Sequence, residues 1–497
     1  ECLVGSEMCI RESRWVGELA QRYPAREITP LTPWFANISI HDVEITGCST
    51  LVDVSALPEK PVKNFFFGNV KAHCDRIGKI CDATKFSMKD VRIESCDTVM
   101  RIDNCDYASF FGFSNVTTGS SVKIEKTGGE CRYLNVQTYP LVPVNYQSIR
   151  PGEVWLDTEG KPIQAHGFQV TFREGKYYWY GEDKTHTLFG TNRMFGGVRC
   201  YSSTDFYNWK DEGRIIEPAT DPHSPLHHCQ KLERPHILYC AKTGRYVCWL
   251  KSQSNDGHFV ILEAEHFMGP YHFVRNLKPN GFAVGDFDMY ADPDTGKGYV
   301  WFERPHWEQI CAELSDDYTN VNGRYSEHFV GKVPPFTREA AAHFVMDGKH
   351  YIYTSGTTSY TPNPSEVAVF DDYHGEYTVL GNPHIGDEYA HSFCSQITSV
   401  IKIPGKDLYV AMADRWLPHT NKTDIPKKDW QSFLTRYKDH RPYPKDFATP
   451  KVADRFYTLV NPNQDVYKAT YVFLPIVVKD GIPMIEWKDE WKLENYE

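Results

Sequence analysis

A glycine followed by an aromatic-rich strand returns five times in this chain, and that recurrence constrains its fold more than any other feature. The runs are Gly175-Lys-Tyr-Tyr-Trp-Tyr, Gly244-Arg-Tyr-Val-Cys-Trp, Gly296-Lys-Gly-Tyr-Val-Trp, Gly348-Lys-His-Tyr-Ile-Tyr and Gly405-Lys-Asp-Leu-Tyr-Val. Successive glycines stand 69, 52, 52 and 57 residues apart. Each run reads as a hairpin turn feeding a half-buried strand, because glycine takes turn conformations freely while bulky β-formers pack on a sheet face. About 50 residues is the size of a four-stranded propeller blade, so five repeats predict five blades. The late strands Tyr471–Ile476 and Pro483–Trp487 are expected to close the ring against the first blade. Helical periodicity is nearly absent, and the fold class expected is all-β.

A second, shorter repeat precedes the first. The runs Asn37–Ile45, Asn64–Lys71, Lys85–Ile93 and Ser109–Val116 alternate in polarity and recur every 21 to 27 residues. A coil of that length cannot bury its own face and must stack on its neighbour, which predicts a short right-handed parallel β-helix over residues 1–140. Residues 141–153 carry two prolines and no periodicity and read as a linker, leaving 154–497 for the propeller. Lone acids of the first segment, such as Asp53 and Asp103, are expected in turns.

Charge excludes some partners. A net charge of −11 suits neither nucleic acid nor an anionic membrane surface, and no apolar run reaches the ~20 residues that span a bilayer. Eight of the 14 cysteines fall before residue 132, none in a Cys-x-x-Cys pair, so buried thiols are expected rather than a zinc site or a disulfide framework.

A propeller gathers the starts of its inner strands around one axis, so acids far apart in sequence can converge. Four repeats carry one: Glu182 in Tyr-Gly-Glu-Asp-Lys, Glu233 in Leu-Glu-Arg-Pro-His, Asp286 in Val-Gly-Asp-Phe-Asp and Glu339 in Thr-Arg-Glu-Ala-Ala; the fifth offers Gln396. Any one of these acids alone would read as a solvent-facing strand residue. His166 reads as a satisfied buried histidine, and Asp292-Pro-Asp-Thr-Gly296 as a hairpin turn rather than a calcium loop. Trp416 suits a sugar platform and a core position equally well. The His223–His227 step would gather metal ligands only on a helix, which Pro222 and Pro225 oppose. No metal site is expected.

Two resemblances add to this reading. The stretch Thr32-Pro-Trp-Phe-Ala-Asn-Ile-Ser-Ile with Leu57-Pro-Glu-Lys-Pro-Val-Lys-Asn-Phe resembles the end of the β-helix of family 28 glycoside hydrolases, without that family's catalytic signatures. Residues 153–490 resemble glycoside hydrolase family 43 and, within it, the exo-β-1,3-galactanase group. The stretches that carry this are Tyr178-Trp-Tyr-Gly-Glu182, Glu233-Arg-Pro235, Arg338-Glu-Ala340, Thr354-Ser-Gly356, Ser395-Gln396 and Asp414-Arg-Trp416.

The resemblance implies an inverting hydrolase that acts exo on β-1,3-galactan or related plant side chains. It implies Glu339 as general acid, Asp286 as the charge that tunes it, and Gln396 as a water-orienting residue. Glu182 and Glu233 would bind sugar hydroxyls, or one of them would be the base, with Tyr360 and Trp416 lining the substrate. Two departures bear on linkage and sugar specificity: Gly285 stands where an arginine is expected, and Thr357-Thr-Ser-Tyr360 where a tryptophan is usual. An α-L-arabinofuranosidase or other pectin side-chain hydrolase is the alternative activity, and a non-catalytic carbohydrate-binding protein the alternative class. The partner expected is an oligo- or polysaccharide and the location secreted or periplasmic. The chemistry requires no cofactor, and a structural cation such as calcium is the one ion left room for.

Overall fold

The computed structural model describes residues 24–138, 144–185, 187, 194–253, 257–332, 336–358, 360, 362–388, 390–416 and 466–497. It divides into two compact units: the described part of Glu1–Val144 with Glu159–Lys161, and Asn145–Thr158 with Pro162–Glu497. Cys2 and Cys9 lie outside the described residues; every described cysteine is free.

The first unit is a β-solenoid. Its long strands Ala36–Ser55 and Val62–Glu94 pair in parallel, with Ile38 beside Phe65 and Val43 beside Val70, and Val99–Asp106 pairs onto the second. Inward side chains of successive coils form one apolar column, among them Phe67, Val70, Ile80, Met88, Val91, Ile102 and Phe110. Asp53 and Asp103 lie within strands, not in turns. The left-handed corners belong instead to Asn37, Asp42, Asn64, Asn69, Asp82 and Asn104. Their short side chains tolerate that conformation and also bond to the coil above: Asn64 Nδ2 donates to Asn37 Oδ1 at 2.8 Å and Asn104 Nδ2 to Asp82 Oδ1 at 2.6 Å.

The second unit is a five-bladed β-propeller. Four blades are four-stranded antiparallel sheets formed from consecutive segments, and their innermost strands are His166–Arg173, Leu232–Cys240, Phe287–Ala291 and Arg338–Met346. In blade five Gln396–Lys402 is innermost. The five repeated glycines sit at the turn after each innermost strand with φ between 69° and 79°. An added Cβ at any of them would meet nothing, so the conformation and not crowding demands glycine.

The late strands meet blade one as expected, with the Tyr471 hydroxyl accepting from Ala165 N–H and donating to Ile163 O at 3.0 Å, and they do so as members of blade five. Thr470–Lys479 pairs with Tyr409–Arg415 and then with Ile482–Glu486, so both complete blade five rather than adding to blade one. Part of the expected linker adds to the closure: Ile149 and Trp491 exchange both backbone hydrogen bonds, at 2.8 and 3.0 Å, and Gly152 N–H donates to Tyr471 O. Aromatics fill the seam between first and last blades, with Trp155, Trp179 and Phe473 packed at centroid distances of 4.9–5.6 Å.

Candidate active site

The strands that open the propeller carry one recurrent irregularity. Pairing slips between Tyr180 and Glu182 in blade one, between Glu233 and His236 in blade two, and between Glu339 and Ala342 in blade four. At each slip a residue takes positive φ: Gly167 (53°), Arg234 (52°) and Ala340 (50°). An extra residue in one strand re-aims the side chain beside it, which is how a bulge turns an acid from the sheet face toward the mouth. Glu182 differs from the sequence expectation, since it ends the second strand of blade one, opposite His166.

These acids are interleaved with cations. Lys251 Nζ stands 2.6 Å from both Glu233 Oε2 and Asp286 Oδ1. Lys231 reaches Glu233 Oε1 at 3.3 Å, and Lys184 pairs with Glu182. Arg234 is the hub. Its Nε lies 2.7 Å from Asp286 Oδ2, its Nη2 donates to Gln396 Oε1 at 2.9 Å, and its backbone N–H donates to Glu182 Oε1 at 3.0 Å. Its Nη1 is a buried donor with no partner among the described residues.

That interleaving separates the carboxyls. Burial would raise Glu233, but Lys251, Lys231 and Lys184 together hold it well below the usual carboxylate range. Asp286 is likewise lowered, burial being outweighed by Arg234 and Lys251. Burial pushes Glu182 up against the pull of Lys184, and Glu233 adds to the rise. Glu339 is raised well above its ordinary value, first by burial and then by the neighbouring carboxylates Glu303 and Asp286. A site that keeps one carboxyl protonated beside others that stay ionised can both give and accept a proton.

Glu339 is held by what flanks it. Arg338, buried, donates from Nε to Thr354 Oγ1 at 2.9 Å and from Nη2 to Thr354 O at 2.6 Å, clamping the strand start. Ala340 and Ala341 are buried on the other side. Gln396 Nε2 donates to Ser355 Oγ at 3.0 Å and to Glu339 Oε1 at 3.3 Å, so the amide sits beside this acid rather than across a gap from it.

A pocket opens next to Gln396, lined also by Ser355, Tyr360, Asn363, Asp414 and Trp416. Trp416 is nearly buried yet belongs to this lining; its Nε1 donates to Gln396 Oε1 at 3.3 Å, and the Tyr360 ring meets it edge-on at 5.1 Å. His166 is fully buried, with Nδ1 2.9 Å from Asp414 Oδ1 and Nε2 3.3 Å from the Tyr471 hydroxyl. Asp292 caps its hairpin turn, accepting from the N–H groups of Asp294 and Thr295 at 2.9 Å. Among the described residues, the potential ligands that gather within 4.8 Å are His227, His228 and Cys229, not the His223–His227 pair.

The structure thus brings Glu182, Glu233, Asp286, Glu339 and Gln396 into one bonded network and sets Tyr360 and Trp416 beside it. Sequence reasoning missed Lys184, Lys251, Arg234 as hub, and Glu303. The signal for Lys184 was present: it lies two residues from Glu182, a spacing that repeats at Lys231 and Glu233.

Residues 168–400 match the family model of the glycosyl hydrolases family 43. Among solved structures the chain is similar to a family 43 β-1,3-galactosidase at 27% identity and a TM-score of 0.57, covering 71% of this chain and 65% of that one, just under two thirds of its length. A second family 43 β-1,3-galactosidase, solved with galactodeoxynojirimycin, shows 27% identity and a TM-score of 0.55 over 69% of this chain and 100% of that one. An exo-β-1,3-galactanase from Phanerochaete chrysosporium with β-1,3-galactotriose shares the fold at 21% identity and a TM-score of 0.55, over 70% of this chain and 68% of that one. No curated protein sequence matches.

Proposed function

With a propeller that is a family 43 glycoside hydrolase domain, we propose that this chain removes single galactose units from β-1,3-linked galactan with inversion of anomeric configuration. The observation that carries the proposal is the carboxyl network around one mouth, where Glu339, bonded to Gln396, is raised well above its ordinary value while Arg234 and Lys251 pair with Asp286 and hold it below its own. The two β-1,3-galactosidases at 27% identity support galactose over other sugars.

In this mechanism Glu339 gives its proton to the departing glycosidic oxygen. Asp286 holds negative charge beside it, which opposes early loss of that proton. The partnerless Nη1 of Arg234 supplies a buried donor for a sugar hydroxyl. Tyr360 and Trp416 present ring edges and faces to the apolar side of the sugar. Water is activated opposite the acid. Of the two remaining carboxylates, Glu182 is the better proton acceptor, because three lysines hold Glu233 too far down. Gln396, fixed by Arg234 and Trp416, orients groups next to the acid. The displacement is single and forms no covalent intermediate.

The test is product release from β-1,3-galactobiose and from an aryl α-L-arabinofuranoside, for the wild type and for Glu339→Gln, with the first-formed anomer read by proton NMR. Galactose released as the α-anomer, with kcat reduced by ~10²–10⁴ in the variant, supports the proposal. Release of arabinose instead would move the substrate to arabinofuranosides and leave Glu339 as acid. Undiminished activity in the variant would overturn the acid assignment.

A further inference from the structure

Glu303 ends the second strand of blade three, Gly298–Glu303, with its side chain 4% exposed. Its backbone is tied to the segment that carries Asp286: Gly285 N–H donates to Glu303 O at 2.6 Å, and Glu303 N–H to Asp286 O at 3.0 Å. Across its own hairpin Glu303 faces Gln309, whose Nε2 donates at 3.0 Å to the carbonyl of Arg338, the residue before Glu339. Residue 303 is therefore held beside the start of blade three, and its strand partner Gln309 is bonded to the start of blade four.

Its seat is made by a glycine. A Cβ on residue 285 would stand 2.1 Å from Glu303 Oε2, so no residue with a side chain fits there while Glu303 keeps its place. The other oxygen accepts from His306 N–H at 2.7 Å, with His306 Nδ1 at 3.6 Å on the solvent side. The charged groups that face Glu303 are Asp286 and Glu339, against Lys251 and Arg234. Gly285 leaves a space beside Asp286, and the Glu303 carboxyl fills it. A fixed cation there would favour an ionised Glu339. A second carboxyl does the reverse, because two neighbouring carboxyls cannot both ionise without cost.

We propose that Glu303 is a positioning residue for the acid step: seated against Gly285, it forms with Asp286 and Glu339 a three-carboxyl cluster that keeps the proton on Glu339 in the resting enzyme. The proposal rests on Glu339 being the acid. The electrostatics of the cluster agree with it: burial chiefly raises Glu303 to about 7, and after burial the Glu303 carboxylate contributes most to the rise of Glu339.

Glu303→Gln keeps shape and removes the charge. Carbon-13 NMR titration of labelled glutamate carboxyls, with the Glu339 signal identified by its loss in Glu339→Gln, reads the cluster without substrate. The Glu339 midpoint is expected to fall by about one pH unit in Glu303→Gln, and the basic limb of kcat/KM to move down with it. Gly285→Ala, which displaces the carboxyl while keeping residue 303, is expected to shift both the same way. Should Glu303→Gln fail to fold, Gly285→Ala reads the same coupling. A folded variant with an unmoved Glu339 midpoint overturns the proposal. A shifted midpoint in a protein that hydrolyses none of the substrates above would count against the function and still support the cluster.

Discussion

Arg234 donates from Nη2 to the side-chain oxygen of Gln396 at 2.9 Å, so a residue of blade two fixes which way an amide of blade five faces. With that oxygen engaged, and taking a second bond from Trp416, the Gln396 nitrogen turns to Glu339. The same guanidinium neutralises Asp286. Arg234→Lys keeps a positive charge but loses the fork that serves both partners at once. We expect kcat/KM to fall by ~10²-fold in Arg234→Lys with little loss of melting temperature. Arg234→Met should lose both, since removing one partner of a buried pair costs about 3–5 kcal/mol. Steady-state kinetics and thermal melts of the two variants check this; equal kinetics in wild type and Arg234→Lys would deny the orienting role.

How far the sequence discloses this site depends on the residue. The five glycine–aromatic runs show the blades because a left-handed turn residue and a buried strand are both local demands, written in adjacent positions. The acids were found because each recurs at one place in its repeat, Glu233, Asp286 and Glu339 at the start of an innermost strand and Glu182 at the end of a second one. Their cations were not, since Lys251 lies on the second strand of blade two and meets Asp286 of blade three only after the blades pack. Glu303 was invisible for the same reason: its seat at Gly285 is a tertiary fact, and Gly285 alone reads only as a missing arginine. The linker's share in closure was not foreseen because the pairing of Ile149 with Trp491 joins two short segments without strand periodicity. Asp53 and Asp103 were misplaced because the solenoid's corners are set by Asn and Asp residues a few positions away, indistinguishable by composition.

Lys251 holds two carboxylates at once, and its removal should show in acid. Glu233 and Asp286 have folded pKa values below their unfolded ones, so their contribution is present above the unfolded values and is lost as pH falls through the folded ones. Lys251→Met leaves both carboxylates buried without their shared cation. Stability at pH 7 should drop by about 3–5 kcal/mol, and the acid-unfolding midpoint should move to higher pH. Urea denaturation across pH 3–7 measures both, and an unchanged acid midpoint would contradict the bridging geometry.

The turn before Gln396 holds three successive non-glycine residues, Ser392, Phe393 and Cys394, at positive φ. Asp387 pins it, accepting from the N–H groups of His391 and Ser392 at 2.7 and 2.6 Å while its other oxygen lies 2.9 Å from His391 Nδ1. Burial opposes the charge on His391, but Asp387, with Cys394 adding to it, raises the group to about 9. A histidine raised on folding stabilises fully below its unfolded value near 6.5 and loses that contribution as pH rises through about 9. Asp387→Asn keeps an acceptor for the turn and removes the ion pair. We expect it to be less stable by about 1.5–3 kcal/mol at pH 6, with the difference gone by about pH 9.5. A gap that persists at high pH would mean that Asp387 acts through the turn alone.

The base is the assignment on which the proposed inverting mechanism turns, and Glu182 and Glu233 make different predictions. A base must be ionised at rest and still accept a proton as water attacks, so proton affinity near the working pH favours it. Burial raises Glu182, whereas Lys251, Lys231 and Lys184 depress Glu233. Removing the base's carboxyl opens space where a small anion can attack without needing deprotonation. On an aryl β-galactoside, Glu182→Ala should lose ~10²–10⁴ in kcat and recover activity in azide, yielding the α-configured galactosyl azide that a single displacement requires. Glu233→Ala should lose substrate binding and show no such rescue, because its carboxylate is occupied by lysines and the water's proton goes elsewhere. Rescue in Glu233→Ala and none in Glu182→Ala would exchange the two roles. A β-configured azide from either variant would replace inversion by a double displacement.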